Sequence, residues 1–201
     1  MIEFLVGSSL AGAAGLNAWI PLLALGLLAR FTDIITLPAG WSWLTSDVSL
    51  WIIGALLVVE IVADKVPALD TVNDVIHTAI RPASGGIVFG AGASAEALKL
   101  DDPGALAGMN WTPVIVGVAI ALGVHLLKAV ARPVANMATA GLAAPVLSTA
   151  EDAASITMSV LALLVPILAV LVGLAVIAGL IWMVVRRIRH RRAKRATTQP
   201  V

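Results

Sequence analysis

The chain has 201 residues, 60% hydrophobic and 12% charged, against about 45–50% apolar and about 25% charged in a soluble domain. An ordinary soluble fold is excluded. The net charge of +1 hides a division: seven of the thirteen Lys and Arg residues fall between Arg186 and Arg195, leaving six against twelve acidic residues ahead of them. With no cysteine there is no disulfide framework, thiolate metal site or cysteine nucleophile.

A hydrocarbon core of ~30 Å takes about 20 apolar helical residues, and the pattern predicts an all-α polytopic membrane bundle of about six transmembrane or re-entrant segments. The first runs from Phe4 to Ala29, interrupted by Ser8, Ser9, Asn17 and Pro21. Its start, Met1-Ile2-Glu3, lacks the positive region of a signal peptide, so a retained span is expected. The second covers 50–63 and closes on Asp64-Lys65. The third, 83–98, is short and built of Gly, Ala and Ser. The fourth is 111–131, the fifth 134–150, and the sixth lies within 153–185. Segments 83–98 and 134–150 either cross fully or re-enter. An integral helical domain over 1–185 is followed by a basic tail, 186–201, expected to be unstructured.

Lys and Arg favour the cytoplasmic side. With the tail inside, six spans place the N-terminus inside as well, together with Lys65, Arg81, Lys128 and Arg132, and set Asp33, Asp47, Asp101, Asp102, Glu151 and Asp152 outside. Trp41, Trp43, Trp51 and Trp111 then lie near the outer boundary and Trp182 near the inner one, as interfacial aromatics do. A weak internal repeat accompanies this layout. Gly54 precedes Lys65 as Gly117 precedes Lys128, and Arg81-Pro82 and Arg132-Pro133 follow. Proline is tolerated in a first helical turn, so each Arg-Pro pair is expected to open a new helix.

The chemistry concentrates between Glu60 and Arg81. Glu60 and Asp64 share one helical face, and Glu60 lies ~7.5 Å deeper than Lys65, where a charge needs protein, water or a counter-ion. Asp70, Asp74, His77 and Arg81 follow at intervals of four, three and four. They form the polar stripe of an amphipathic helix, either in the interface or packed under the bundle. His125, Lys128 and Arg132 project together from the end of the fourth span. Pairing with Glu60 and Asp64 makes these groups an ion or proton relay, or a packing device. Asn17, expected deeper in the path, sits beside Pro21 at a helix break of the kind that serves as a site in transporters. Gly85, Gly86, Gly90 and Gly92 permit close helix packing or expose carbonyls to an ion, with Glu96 at the mouth on the second reading.

Gly15-Leu16-Asn17-Ala18-Trp19, the run from Val59 to Asp70 and Arg81-Pro82 resemble the bacterial multi-pass membrane proteins grouped as domain of unknown function 4126. The resemblance covers the chain up to the sixth span. It implies an integral membrane protein and supplies no reaction. Enzyme patterns are not met: Asn73-Asp74-Val75-Ile76-His77 departs from Asn-Asp-x-x-Asp, and there is no His-Glu-x-x-His, Gly-x-Ser-x-Gly or P-loop. Asp70, Asp74 and His77 share a face on which a divalent metal could sit, although a solvated stripe is the commoner explanation. No catalytic residue or cofactor is expected. The leading expectation is a small transporter or channel of a bacterial cytoplasmic membrane, moving an ion or small solute along Asn17, Glu60, Asp64, Asp70, Asp74, His77, Arg81, His125, Lys128 and Arg132. The alternative is a non-transporting scaffold or assembly factor. Expected partners are the bilayer, anionic lipid at the tail and a second copy of the chain, but not nucleic acid.

Overall fold

The computed structural model describes residues 1–33, 35–94, 111–139 and 143–197, all of their regular structure helical. In chain order these form α1 (Ile2–Leu16), α2 (Trp19–Phe31), a 3-10 helix (Ala39–Thr45), α3 (Asp47–Ala63), α4 (Pro67–Ser94), α5 (Trp111–Ala138), α6 (Ala143–Leu164) and α7 (Pro166–Thr197). Trp111–Pro133, Ala144–Leu164 and Pro166–Arg186 are each long and apolar enough to cross a membrane. The 3-10 helix and α3, bent by 62°, qualify as a fourth span when taken together. Burial is inverted relative to a soluble protein. Arg81, Arg132 and Lys128 are the largest fully buried side chains, while Val58, Val59, Ile115, Leu126, Leu171 and Ile181 face outward. An apolar exterior around charged groups is what lipid as solvent selects, and the chain is a membrane-embedded helical bundle.

The first apolar run is a hairpin rather than one span. α1 ends at Leu16, and Asn17 leaves the helix in extended conformation. α2 then doubles back: Leu22 and Leu25 join the core that holds Leu10, Val88 and Ala91. At its far end Arg30 donates to the Thr45 carbonyl and pairs with Asp47 at 2.7 Å. Pro21 lies in the first turn of α2, where its missing N–H has no helical acceptor to lose.

This hairpin overturns the expectation that both termini share one side. α1 and α7 run in the same direction, for Leu10 and Ala169 lie in one core cluster, Leu16 and Leu180 in the other, and Met158 sits between Gly12 and Gly173. Met1 and the basic run therefore occupy opposite ends of the bundle. The additional crossing comes from the return of α2, which the helix break expected at Asn17 and Pro21 does not by itself signal.

Neither Arg-Pro pair opens a helix. Pro82 lies inside α4 and Pro133 inside α5. Segment 83–98 is in its described part the second half of one 28-residue helix, long enough at ~1.5 Å per residue to traverse the bundle. Segment 134–150 is no unit: residues 134–138 end α5 and residues 143–150 begin α6. Interior prolines survive in such bundles because neighbouring groups re-satisfy the freed backbone. Where composition suggests an unstructured tail, α7 continues to Thr197; residues 186–197 are half Arg and free of Gly and Pro, so nothing in them breaks a helix.

α4 and α5 cross where both lack side chains. A Cβ on Gly85 would stand 2.8 Å from the Gly117 carbonyl oxygen, and one on Gly86 2.9 Å from Val118 Cγ2. Gly90 lies under Trp41 and Gly92 under Leu10. Of the two roles open to these glycines, close packing is the one the structure uses.

Candidate functional site

Beside this crossing, at the end of the bundle where the α1–α2 hairpin turns, four helices deliver charged groups, and the hairpin tip polar ones, to one buried volume. Asp64, the C-cap of α3, is the hub. It accepts from Asn73 Nδ2 at 2.6 Å, Arg132 Nη2 at 2.9 Å and Lys128 Nζ at 3.2 Å, and Arg81 Nη2 stands 3.6 Å away. Glu151 on α6 pairs with Lys128 Nζ at 3.1 Å and accepts from Arg132 Nε at 3.1 Å. Glu60, one turn before Asp64, accepts from Arg81 Nη2 at 2.9 Å. Arg81, Lys128 and Arg132 thus face Glu60, Asp64 and Glu151, three cations and three carboxylates, all buried. Charges removed from water survive only when paired, and the match of number and sign gives each of the six an opposite charge.

The hairpin tip is wired into the network. Lys128 Nζ donates to the Leu16 carbonyl at 2.8 Å, satisfying an acceptor that the end of α1 leaves open. Asn17 Oδ1 accepts from the backbone N–H groups of Trp19 and Ile20 at 3.1 and 3.2 Å, and its Nδ2 donates to Asp152 Oδ1 at 3.0 Å. Asp152 Oδ2 also pairs with Lys65 Nζ at 3.3 Å. Ser84 Oγ bonds the Ala18 carbonyl, and Ser155 Oγ donates to Ala13 O at 3.0 Å. The broken backbone is therefore held by side chains of α4, α5 and α6.

The geometry assigns one histidine's protons. Arg81 Nη1 lies 2.9 Å from His125 Nδ1, and guanidinium only donates, so Nδ1 accepts. The ring's proton sits on Nε2, 3.0 Å from Thr78 Oγ1, whose hydroxyl donates to the Asp74 carbonyl at 2.9 Å. His125 is neutral in this arrangement. His77 has no such bond: its Nδ1 faces Glu60 Oε1 at 3.5 Å. Among the described residues, His77 Nδ1, Glu60 Oε2, Arg81 Nε and Asp74 Oδ1 are buried atoms without a hydrogen-bond partner.

Of the ten residues expected to line one polar path, the structure brings nine together. Asn17, Glu60, Asp64, Asp74, His77, Arg81, His125, Lys128 and Arg132 converge. Asn17 lies level with the others, not deeper, because it is the turn of the hairpin. Asp70 falls in α4, but its side chain is outside the described ones, as are Glu96, Asp101 and Asp102. The polar stripe of α4 packs under the bundle instead of lying in the interface, with Val75 and Ile76 outward. Among the described residues no three His, Asp or Glu side chains are placed to hold a metal; the carboxylates here are engaged by cations.

Glu151 and Asp152, assigned to the outer side with the acidic loops, belong to the network. Counting 134–150 as a crossing displaced them. Ser148, Glu151, Ser155 and Ser159, spaced three, four and four and all buried, form a polar stripe along α6 that would have revealed its inward face. Asn73 and Thr78 carried no comparable signal.

The family model described as Domain of unknown function (DUF4126) matches residues 4–187, and the chain belongs to that family. No curated protein and no solved structure matches it.

Proposed function

We propose that this member of the domain of unknown function 4126 family translocates an ion or small solute across a bacterial cytoplasmic membrane, with the ionic network as a closed gate at the tail-side end. The observation that carries this reading is the insertion of a broken hairpin tip among paired buried charges. Irregular backbone at membrane depth is tolerated where protein surrounds it or where it lines a pathway, and transporters place their sites at such discontinuous helices. Close contacts between small residues already hold α4 to α5, so the bundle does not need six buried charges to pack. Separating Lys128 from Leu16 O and Asn17 from Asp152 loosens the tip, which Ser84 and Ser155 still anchor, and the carboxylates uncovered next to it attract a cation.

The basic run of α7 lies at the same end. Arg186 stacks on Trp182 at 5.1 Å, a pairing suited to the headgroup level of an anionic leaflet. A subunit this small encloses a pathway more readily as an oligomer of identical chains.

The second reading is a non-transporting scaffold, favoured by the dryness of the network: Glu60 and Asp64 are 1% exposed and Lys128 0%. Purified protein in proteoliposomes separates the two. Translocation predicts cation or proton flux that Glu60→Gln abolishes without loss of folded yield. Absence of flux for every ion tried, with a stable partner co-purifying, selects the scaffold.

A further inference from the structure

The unpartnered atoms around Arg81 carry a more specific conclusion. Glu60 Oε1 is held by Arg81 while Oε2 has no hydrogen-bond partner among the described residues, and His77 Nδ1 points at the same carboxylate from 3.5 Å. Both side chains are at least nine-tenths buried. Arg81 has further counter-ions in reach, Asp74 Oδ1 at 3.5 Å and Asp64 Oδ2 at 3.6 Å. A neutralised Glu60 therefore does not strand Arg81, which swings to Asp64 and Asp74. A carboxylate that can be discharged without orphaning its partner is equipped to change charge inside a dry site, where an unpaired ion would be expelled.

We propose that Glu60 is a proton-binding site and His77 the group that loads it. This deepens the translocation reading, on which it rests, by naming the proton as the species carried or coupled. Asp74, whose side chain is 15% exposed, lies three residues before His77 on the same face of α4 and faces solvent at the network's edge. With its proton on Nδ1, neutral His77 takes a second proton on Nε2 from hydronium, leaving water. The imidazolium draws Glu60 closer, and the Nδ1–H bond breaks as an O–H bond forms on Glu60, leaving His77 neutral with its proton on Nε2. No electrons are exchanged.

The surroundings set the direction of the response. Glu60 faces Asp64 on its own helix, Asp74, His77 and Arg81 on α4, and Lys128 on α5; Lys128 and Arg132 are in turn held by Glu151 of α6. His125 is engaged by Arg81 and Thr78 and is not the loading group. Acid thus discharges Glu60, weakens the bond between α3 and α4, and releases Arg81 toward the other carboxylates.

The test is infrared difference spectroscopy of the full chain in lipid nanodiscs across a pH titration, with proton flux measured in parallel proteoliposomes. The expected result is a protonated-carboxyl band that titrates, vanishes in Glu60→Gln and shifts in frequency in Glu60→Asp, the second variant covering a folding failure of the first. In His77→Gln the band should rise after a pH jump about a hundredfold more slowly, the scale of a positioned acid–base group. A band unchanged in Glu60→Gln and Glu60→Asp, or none that titrates, overturns the site. A titrating Glu60 band without flux of any ion upholds the site and sinks translocation. Flux of an ion other than the proton, with no titrating Glu60 band, does the reverse.

Discussion

The α4–α5 pair is held in two ways along its length. At Gly85 and Gly117 the helices touch backbone to backbone, and dispersion between small residues does the work that hydrophobicity cannot do in lipid. Two turns away the same pair is joined through Arg81, His125 and Thr78, in a network that includes Asp64 and Glu151. The first contact is cheap and has one geometry. The second takes six charges out of water and leaves Arg81 with alternative partners at 3.5–3.6 Å. One end of the pair is fixed, the other can be rearranged.

Substitutions break or sharpen that contrast, beginning with the hub. Asp64→Ala leaves Lys128 and Arg132 to share Glu151, and uncompensated buried charge costs ~3–5 kcal/mol; thermal unfolding in detergent should show the largest loss of this series. Gly117→Leu drives a side chain into Phe89 and the Gly85 backbone. An overpacking cost of ~1–3 kcal/mol should appear in the same assay, and the α4–α5 spacing should widen between spin labels. Asn17→Ala removes the acceptor for two N–H groups of α2 and the donor to Asp152. A cap of this kind contributes ~1 kcal/mol, and amide exchange at Trp19 and Ile20 should accelerate. Lys65→Ala deletes a pair exposed by 36% on the lysine side, and such pairs are worth ~0–1 kcal/mol, so unfolding should barely move.

The sharpest variant replaces charge by shape. Arg132→Met with Glu151→Leu exchanges an ion pair for apolar volume, a change that is often neutral or stabilising. Retained stability with lost flux would show that this end is kept for work rather than for packing. Retained flux would show that this pair is dispensable to the gate.

Much of the ionic end was legible in the sequence because helical spacing is rigid: residues three and four apart must share a face, and buried charge must find its opposite. That logic sets His125, Lys128 and Arg132 against Glu60 and Asp64, and puts Asp74, His77 and Arg81 on one stripe. Direction along the chain was less legible. Arg81-Pro82 and Arg132-Pro133 read as boundaries because proline breaks helices in water, whereas within a bundle both lie inside one. The turn at Asn17 was invisible as a reversal because apolar residues flank it on both sides, and hydropathy carries no sign of direction. The unseen reversal left out one crossing and put the N-terminus at the wrong end, and the boundary read at Arg132-Pro133 put Glu151 and Asp152 on the wrong side.

A chain without native cysteine permits a direct test of opening. Ala18→Cys puts one thiol at the hairpin tip, where the native residue is fully buried, and Ala14→Cys puts one in the neighbouring core, equally buried. With an impermeant thiol reagent on the tail side of proteoliposomes under an ion gradient, the account predicts modification at position 18 that rises in acid relative to an exposed control thiol, with position 14 protected. Equal protection of both positions at every pH would contradict it, for a tip that never meets water cannot belong to a gate.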